Sequence, residues 1–343
     1  MVIVAKTDTT AEEVAAIEER IRGEGLKPHR IEGASLVIVG VVGEPSEDFR
    51  EQMQIFPGVE KVVRISTPFK LAGAGEGRPA TRIEIGGLTI GGGSTVVMAG
   101  PCTIESREQL METAQQVKQA GATILRGGAY KPRTSPYSFQ GLEIEGLEYL
   151  KEVSLATNMP TISEVMEPGL VETVAAHADI LQIGARNTQN FPLLKEVGKV
   201  KNPVMVKRGP ASTISEWLMS AEYVMAAGNP NVILCERGIR SFDESTRNTQ
   251  DVAAVAVAKR LSHLPVVIDP SHGTGVWYLV EPLALAGLAA GADGVMVEVH
   301  RSPELALADG PQSLTFENFD QMMIGIRRLA AAMDRPLSKP VSA

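Results

Sequence analysis

The sequence predicts an α/β protein, a (β/α)8 barrel preceded by a small ferredoxin-like domain. Three observations carry this. From about residue 96 short apolar runs alternate with amphipathic helical segments eight times. No Gly-rich dinucleotide turn follows the first of these strands, which counts against the alternative, a doubly wound open sheet. The first 66 residues follow a separate pattern, β-α-β-β-α-β.

In that first part "VIVAK" reads as a strand. "TTAEEVAAIEERIRGEG" reads as a helix with a threonine cap, an early glutamate pair and a glycine stop. "KPHRIEG" and "SLVIVGVVG" follow as strands on either side of Gly33. "SEDFREQMQIF" is a second capped helix, closed by Pro57 and Gly58, and "EKVVRIS" a last strand. The module has no cluster of catalytic residue types, so it reads as a binding or assembly domain over 1–66. Residues 67–84 hold three glycines and two prolines with little periodicity and read as a linker. "IGGLTIGGGST" looks like a hairpin closing the bottom of a barrel that spans 85–338.

The barrel strands are expected at "VVMAGP", "TILRG", "PTISEV", "ILQIGA", "PVMVKRG", "VILCERG", "PVVIDPSH" and "GVMVEVH". Segments such as "SREQLMETAQQVKQAG" and "ISEWLMSAEYVMAAG" supply the helices between them.

Composition narrows the function. The net charge of −8 without a basic tract argues against nucleic acid as the main partner. No apolar run reaches the roughly 18 residues that span a bilayer, and the acidic N-terminal stretch is no signal peptide. Two cysteines, Cys102 and Cys235, make no disulfide framework and suit a reducing cytoplasm.

Catalytic groups of such barrels lie at the C-terminal strand ends. Two groupings are expected there. The first is cationic: Arg126, Lys131, Arg133, Arg186, Lys207, Arg208 and Arg237. Cations gathered at one mouth repel one another unless anions occupy it, and arginine forks and lysine charges suit phosphate and carboxylate. "RGGAYKPRTSPYSFQG" at 126–141 is too broken for a helix and too charged for a core strand. At a strand end it reads as an anion cradle rather than a solvated loop. The second grouping is Cys102, His272, Glu298 and Asp309, a mixed set suited to Mn²⁺, Fe²⁺ or Zn²⁺. These residues are far apart in the chain, but the first, seventh and eighth strands become neighbours when the sheet closes. Glu164, Glu236, Asp269 and His300 also fall at strand ends, without an assigned role. A divalent metal beside two anion sites suggests a condensation between a phosphorylated aldehyde and an anionic carbon nucleophile.

"AGPC" at 99–102, "RGGAYKPRTS" at 126–135, "QIGARN" at 182–187, "VMVKRG" at 204–209, "CERG" at 235–238, "DPSHG" at 269–273 and "VMVEVH" at 295–300 resemble the 3-deoxy-D-arabino-heptulosonate 7-phosphate (DAHP) synthase family. The small N-terminal module resembles that of the subgroup with a fused ferredoxin-like regulatory domain. The resemblance implies a transferase of the shikimate pathway that condenses phosphoenolpyruvate with erythrose 4-phosphate. It implies phosphoenolpyruvate on Arg126, Lys131, Gly184, Ala185, Arg186, Lys207 and Arg237. It implies erythrose 4-phosphate on Lys131, Pro132, Arg133, Thr134 and Ser135. Lys131, Cys102 and His272 become the catalytic candidates. A cytoplasmic homotetramer and feedback inhibition by tyrosine or phenylalanine are also implied. The sister octulosonate 8-phosphate synthase, whose motif at this place carries asparagine, and an inactive effector-binding barrel are the alternatives.

Overall fold

The computed structural model describes residues 1–32, 37–64, 67–75, 77–133 and 135–339, and the chain divides between Pro68 and Phe69 into two units. Gly33, the first residues of the third expected strand, Ile65, Ser66 and Thr134 lie outside the described residues.

The first unit contains β1 (Val2–Ala5), β2 (Lys27–Glu32), β3 (Val37–Val42) and β4 (Val59–Val63), with helices at Ala11–Gly23 and Glu47–Gln54. The sheet order is β2-β3-β1-β4 and every neighbouring pair is antiparallel, the split βαβ arrangement. Thr10 and Glu13 form a reciprocal capping box on the first helix, and Ser46 caps the second through Phe49 N. Ile3, Val39 and Val41 of the sheet meet Val14, Ile17, Ile21, Phe49 and Met53 of the helices in one core.

The second unit opens with a hairpin, β5 (Ile83–Ile85) and β6 (Leu88–Ile90). Eight parallel strands follow: β7 (Val96–Gly100), β8 (Ile124–Arg126), β9 (Thr161–Val165), β10 (Ile180–Ile183), β11 (Val204–Lys207), β12 (Val232–Glu236), β13 (Val266–Ile268) and β14 (Gly294–Glu298). They pair in chain order and close through β14 with β7. All eight contain the runs expected from the sequence.

Side chains alternate between the two faces of a strand, and this alternation builds the site. Ile124, Ile162, Ile180, Met205, Cys235, Val267 and Met296 fill the inside of the barrel, together with Ile83, Leu88 and Ile90 of the hairpin beneath it. Two residues further along the same strands stand Arg126, Glu164, Gln182, Lys207, Arg237, Asp269 and Glu298. The inward row thus turns from apolar to ionisable at the C-terminal end of the barrel. Outward residues such as Val97, Leu125, Leu181 and Val206 pack against the helices.

Residues 69–82 do not form the expected linker. Phe69 and Ala72 are buried in the barrel core. The Glu222 carboxylate accepts the amides of Lys70, Leu71 and Ala72 at 3.0, 2.9 and 2.8 Å. His263 joins Thr81 Oγ1 at 2.6 Å and Leu71 O at 2.7 Å. The stretch is a strap held by backbone polar groups, which leave no periodicity in the sequence. Among the described residues no helix is long and apolar enough to cross a membrane.

Candidate active site

The C-terminal mouth of the barrel holds a cavity of about 320 Å³. Lys131, Arg133, Arg186, Lys207 and Arg237 line it, as do Pro132, Ser135, Gly184 and Ala185. A Cβ at Gly184 would meet Glu164 Oε1 at 2.0 Å, so the glycine lets the end of the Glu164 side chain lie against the backbone here. Among the described residues Arg133, Arg186 and Arg237 have no carboxylate within 4.0 Å. Arg237 is nevertheless only 6% exposed, and burial lowers its pKa. Burying a guanidinium with no carboxylate in ion-pair contact is costly, and an anionic ligand would offset that cost.

One sequence expectation needs correction, and a second residue lies deeper than the lining of the cavity. Arg208 lies outside the cavity; Lys207 occupies the inward row, so its neighbour turns outward, donating to Asp251 Oδ2 at 2.8 Å and Ser212 O at 3.0 Å. Arg126 lies beneath the cavity, 5% exposed, and its NH1 donates to Pro101 O and Glu298 Oε1, both at 2.9 Å. It lines a smaller recess shared with Cys102, Lys131, Gln182 and His272.

Beside this recess Cys102, Glu298 and Asp309 place ligand atoms within 4.8 Å of one another. His272 Nε2 lies 3.3 Å from Glu298 Oε1, so the fourth expected ligand reaches the same carboxylate. His300 does not join them: its Nδ1 accepts from Ser302 N at 3.1 Å and its Nε2 faces Glu105.

The orientation of His272 is fixed locally. Asp269 caps the short helix Pro270–Thr274, accepting His272 N on Oδ1 at 3.0 Å and Nδ1 on Oδ2 at 2.8 Å. Burial pushes the imidazole down to about 4, so the ring is neutral near pH 7. With the proton on Nδ1, Nε2 keeps its lone pair toward Glu298, as a metal ligand requires. Burial alone would raise the Asp269 carboxyl, but His272 and Lys207, the latter at 2.5 Å, hold it well below the usual range.

Lys131 joins the two groupings. Its Nζ lies 2.7 Å from Cys102 Sγ and 2.9 Å from Asp309 Oδ2. Burial opposes its charge, yet Cys102, Glu298 and Asp309 outweigh that and raise its pKa. Burial and Glu298 push the Cys102 thiol up to about 12, with Lys131 pulling the other way. The thiol therefore needs a strong adjacent positive charge to ionise. A soft thiolate and two carboxylates whose ligand atoms lie within 4.8 Å of one another, with an imidazole 3.3 Å from one of those carboxylates, fit a first-row divalent ion.

The sequence reading missed Arg247, Gln182 and Gln312. Gln182 donates to Glu164 Oε2 at 3.0 Å, and Gln312 to Glu298 Oε2 at 2.6 Å. Strand parity points to Gln182; Arg247 sits on an irregular loop and Gln312 ends the short 3-10 helix Gly310–Gln312, with no pattern to mark either.

Fold and site together define a barrel enzyme whose cation-lined mouth adjoins a thiol, imidazole and carboxylate cluster. The sequence model of the DAHP synthetase I family matches residues 74–334, and that of the DAHP synthase ferredoxin-like domain matches residues 1–67. The chain belongs to the DAHP synthetase I family and is an enzyme. The phospho-2-dehydro-3-deoxyheptonate aldolase of Thermotoga maritima is 45% identical over 333 residues, covering 97% of this chain and 98% of the relative. The crystal structure of that organism's DAHP synthase superposes with a TM-score of 0.94 at 44% identity over 98% of each chain. A 2-dehydro-3-deoxyphosphooctonate aldolase of Geobacter sulfurreducens is 30% identical over 270 residues, 73% of this chain and 97% of its own.

Proposed function

We propose that the chain is a metal-dependent DAHP synthase that condenses phosphoenolpyruvate with erythrose 4-phosphate and water, releasing phosphate. The observation that carries this reading is Lys131, which touches the cysteine and carboxylate cluster while lining the cavity of unpaired arginines. An enzyme that joins two phosphorylated substrates at a polarised carbonyl needs that combination.

Arg186 and Arg237, with the backbone at Gly184 and Ala185, hold the phosphate of phosphoenolpyruvate. Arg126, Lys131 and Lys207 complete its site. Arg133 and Ser135, with Thr134 and Pro132, hold the aldose phosphate. Cys102, His272, Glu298 and Asp309 would hold a divalent ion, which supplies Lewis-acid polarisation of the aldehyde. C3 of phosphoenolpyruvate forms the new bond to the aldehyde carbon. Lys131 gives a proton to the resulting alkoxide oxygen, water adds at C2, and phosphate leaves with cleavage of its C–O bond. The raised pKa keeps Lys131 charged before transfer.

The domain over 1–66 we read as regulatory, responding to tyrosine or phenylalanine. Its capped helices and self-contained core make a complete small module without catalytic residue types.

The test is a condensation assay with erythrose 4-phosphate against arabinose 5-phosphate. Turnover confined to the four-carbon aldose supports the proposal. A preference for the five-carbon aldose would make the chain an octulosonate synthase, and no turnover with metal supplied would make it an effector-binding barrel.

A further inference from the structure

Arg247 enters the cavity from the loop after β12. Its backbone N–H donates to Thr274 O at 2.9 Å. Its side chain crosses Gly275, where an added Cβ would come within 3.0 Å of Arg247 Cβ and 3.2 Å of Cδ. Its NH1 donates to Gln312 Oε1 at 3.1 Å, while Gln312 Nε2 donates to Glu298 Oε2 at 2.6 Å. Gln312 is 2% exposed and both ends of its amide are engaged, so it has one orientation and fixes the guanidinium edge that it meets.

This anchor is neutral. Among the described residues Arg247 has no carboxylate within 4.0 Å, and neither has Arg237 on the same cavity. The two like charges also feel each other, since Arg247 lowers the pKa of Arg237. Asp269 acts on Arg237 from beyond ion-pair distance, and a cation aimed by a buried amide beside a second cation without a direct ion pair is placed to meet an anionic ligand.

We propose that Arg247 binds the phosphate group of phosphoenolpyruvate together with Arg237, and that Gln312 is the positioning residue that aims it. This deepens the proposed synthase function and rests on it.

The experiment uses the full chain and the variants Arg247→Gln and Arg247→Lys. Binding of inorganic phosphate is measured by calorimetry, and KM for both substrates by initial rates. Arg247→Gln should weaken phosphate binding and raise KM for phosphoenolpyruvate about ten- to a hundred-fold, the cost of a lost charge-assisted contact. Arg247→Lys should recover part of both, and KM for erythrose 4-phosphate should stay within about twofold. Arg247 is exposed and makes no ion pair among the described residues, so the melting temperature should hold. Unchanged phosphate affinity in Arg247→Gln, or a rise confined to the KM for erythrose 4-phosphate, would overturn the proposal. Loss of phosphate binding in a protein that shows no condensation at all would support the role of Arg247 and sink the synthase reading instead.

Discussion

Asp269 grips His272 at two points, its backbone N–H through Oδ1 at 3.0 Å and its Nδ1 through Oδ2 at 2.8 Å. The same Oδ2 receives Lys207 Nζ at 2.5 Å. One buried carboxylate therefore sets the histidine tautomer and neutralises a cation of the cavity. Asp269→Asn should separate these from substrate contact, because Asp269 does not line the cavity. Leaving Lys207 without its buried partner should cost about 3–5 kcal/mol of stability. Loss of the orienting carboxylate should weaken Mn²⁺ binding roughly 10- to 100-fold. Denaturant unfolding and a Mn²⁺ titration measure the two; native metal affinity in the variant would show that Asp269 does not orient His272.

Cys102 gives the test of the metal. With its thiol pushed up to about 12, the thiolate forms only against a strong positive charge. EDTA should abolish turnover and Mn²⁺ restore it. Cys102→Ser should bind Mn²⁺ more weakly, since an alcohol is the poorer ligand. Full turnover in strict chelator would remove the ion from the mechanism.

Arg133 and Arg237 line the same cavity but should report different substrates. Arg133→Ala should raise KM for erythrose 4-phosphate and Arg237→Ala that for phosphoenolpyruvate, each by about ten- to a hundred-fold. Arg237 is 6% exposed without a carboxylate partner among the described residues, so its removal should leave stability unchanged or higher. Equal, small effects on both substrates in both variants would count against two separate anion sites.

Glu236 carries a pH dependence. It is fully buried, accepts Gly238 N at 2.8 Å and receives Gln250 Nε2 on its other oxygen. Burial raises its carboxyl from 4.5 to about 7, with Gly238 N–H, Arg208 and Gln250 opposing. The folded state thus holds a proton between these values that the unfolded chain has released. The contribution of Glu236 to stability is greatest below about 4.5, falls by about 3 kcal/mol as pH rises toward about 7, and is level above. In Glu236→Gln the new amide nitrogen can donate to Gln250 Oε1, which has no partner at present. The variant's stability relative to the native chain should increase from about pH 5 to about pH 8 in urea unfolding. A difference that does not change with pH would show that Glu236 does not titrate in this window.

Much of this was legible in the sequence because it follows from periodicity. Eight apolar runs named the barrel strands, and the closed order brought Cys102 and Glu298 together with Asp309, with His272 against Glu298. Arg208 was misread although the rule that corrects it is simple. Met205 and Lys207 share the inward face, so Arg208 shares the outward face of Val206. The strap over 69–82 was illegible for a different reason. It is held by Glu222 on three backbone amides and by Arg78 on carbonyls of Lys70, Leu71 and Gly73, and backbone partners leave no residue pattern. Arg247 sits in a loop whose course is set by contacts such as Thr274 O, so only its fold context brings it to the cavity.

The strap also decides where the ferredoxin-like domain can be removed. Phe69 and Ala72 belong to the barrel core, and the core of the first unit is a separate set of residues. A chain beginning at Thr67 therefore keeps every described barrel core residue and all three amides on Glu222. It should fold and turn over with native KM values. It should also lose inhibition by tyrosine or phenylalanine, if the module over 1–66 binds the effector. The coupling must be reciprocal in the full chain, so phosphoenolpyruvate and erythrose 4-phosphate should weaken effector binding by the factor that the effector weakens theirs. A chain beginning at Ala74 should instead be unstable, because it cuts Phe69 and Ala72 out of the core, and losing a buried Phe side chain costs about 3–5 kcal/mol. Inhibition of the shortened enzyme at the native effector concentration would place the effector site in the barrel and leave the ferredoxin-like domain without a regulatory role.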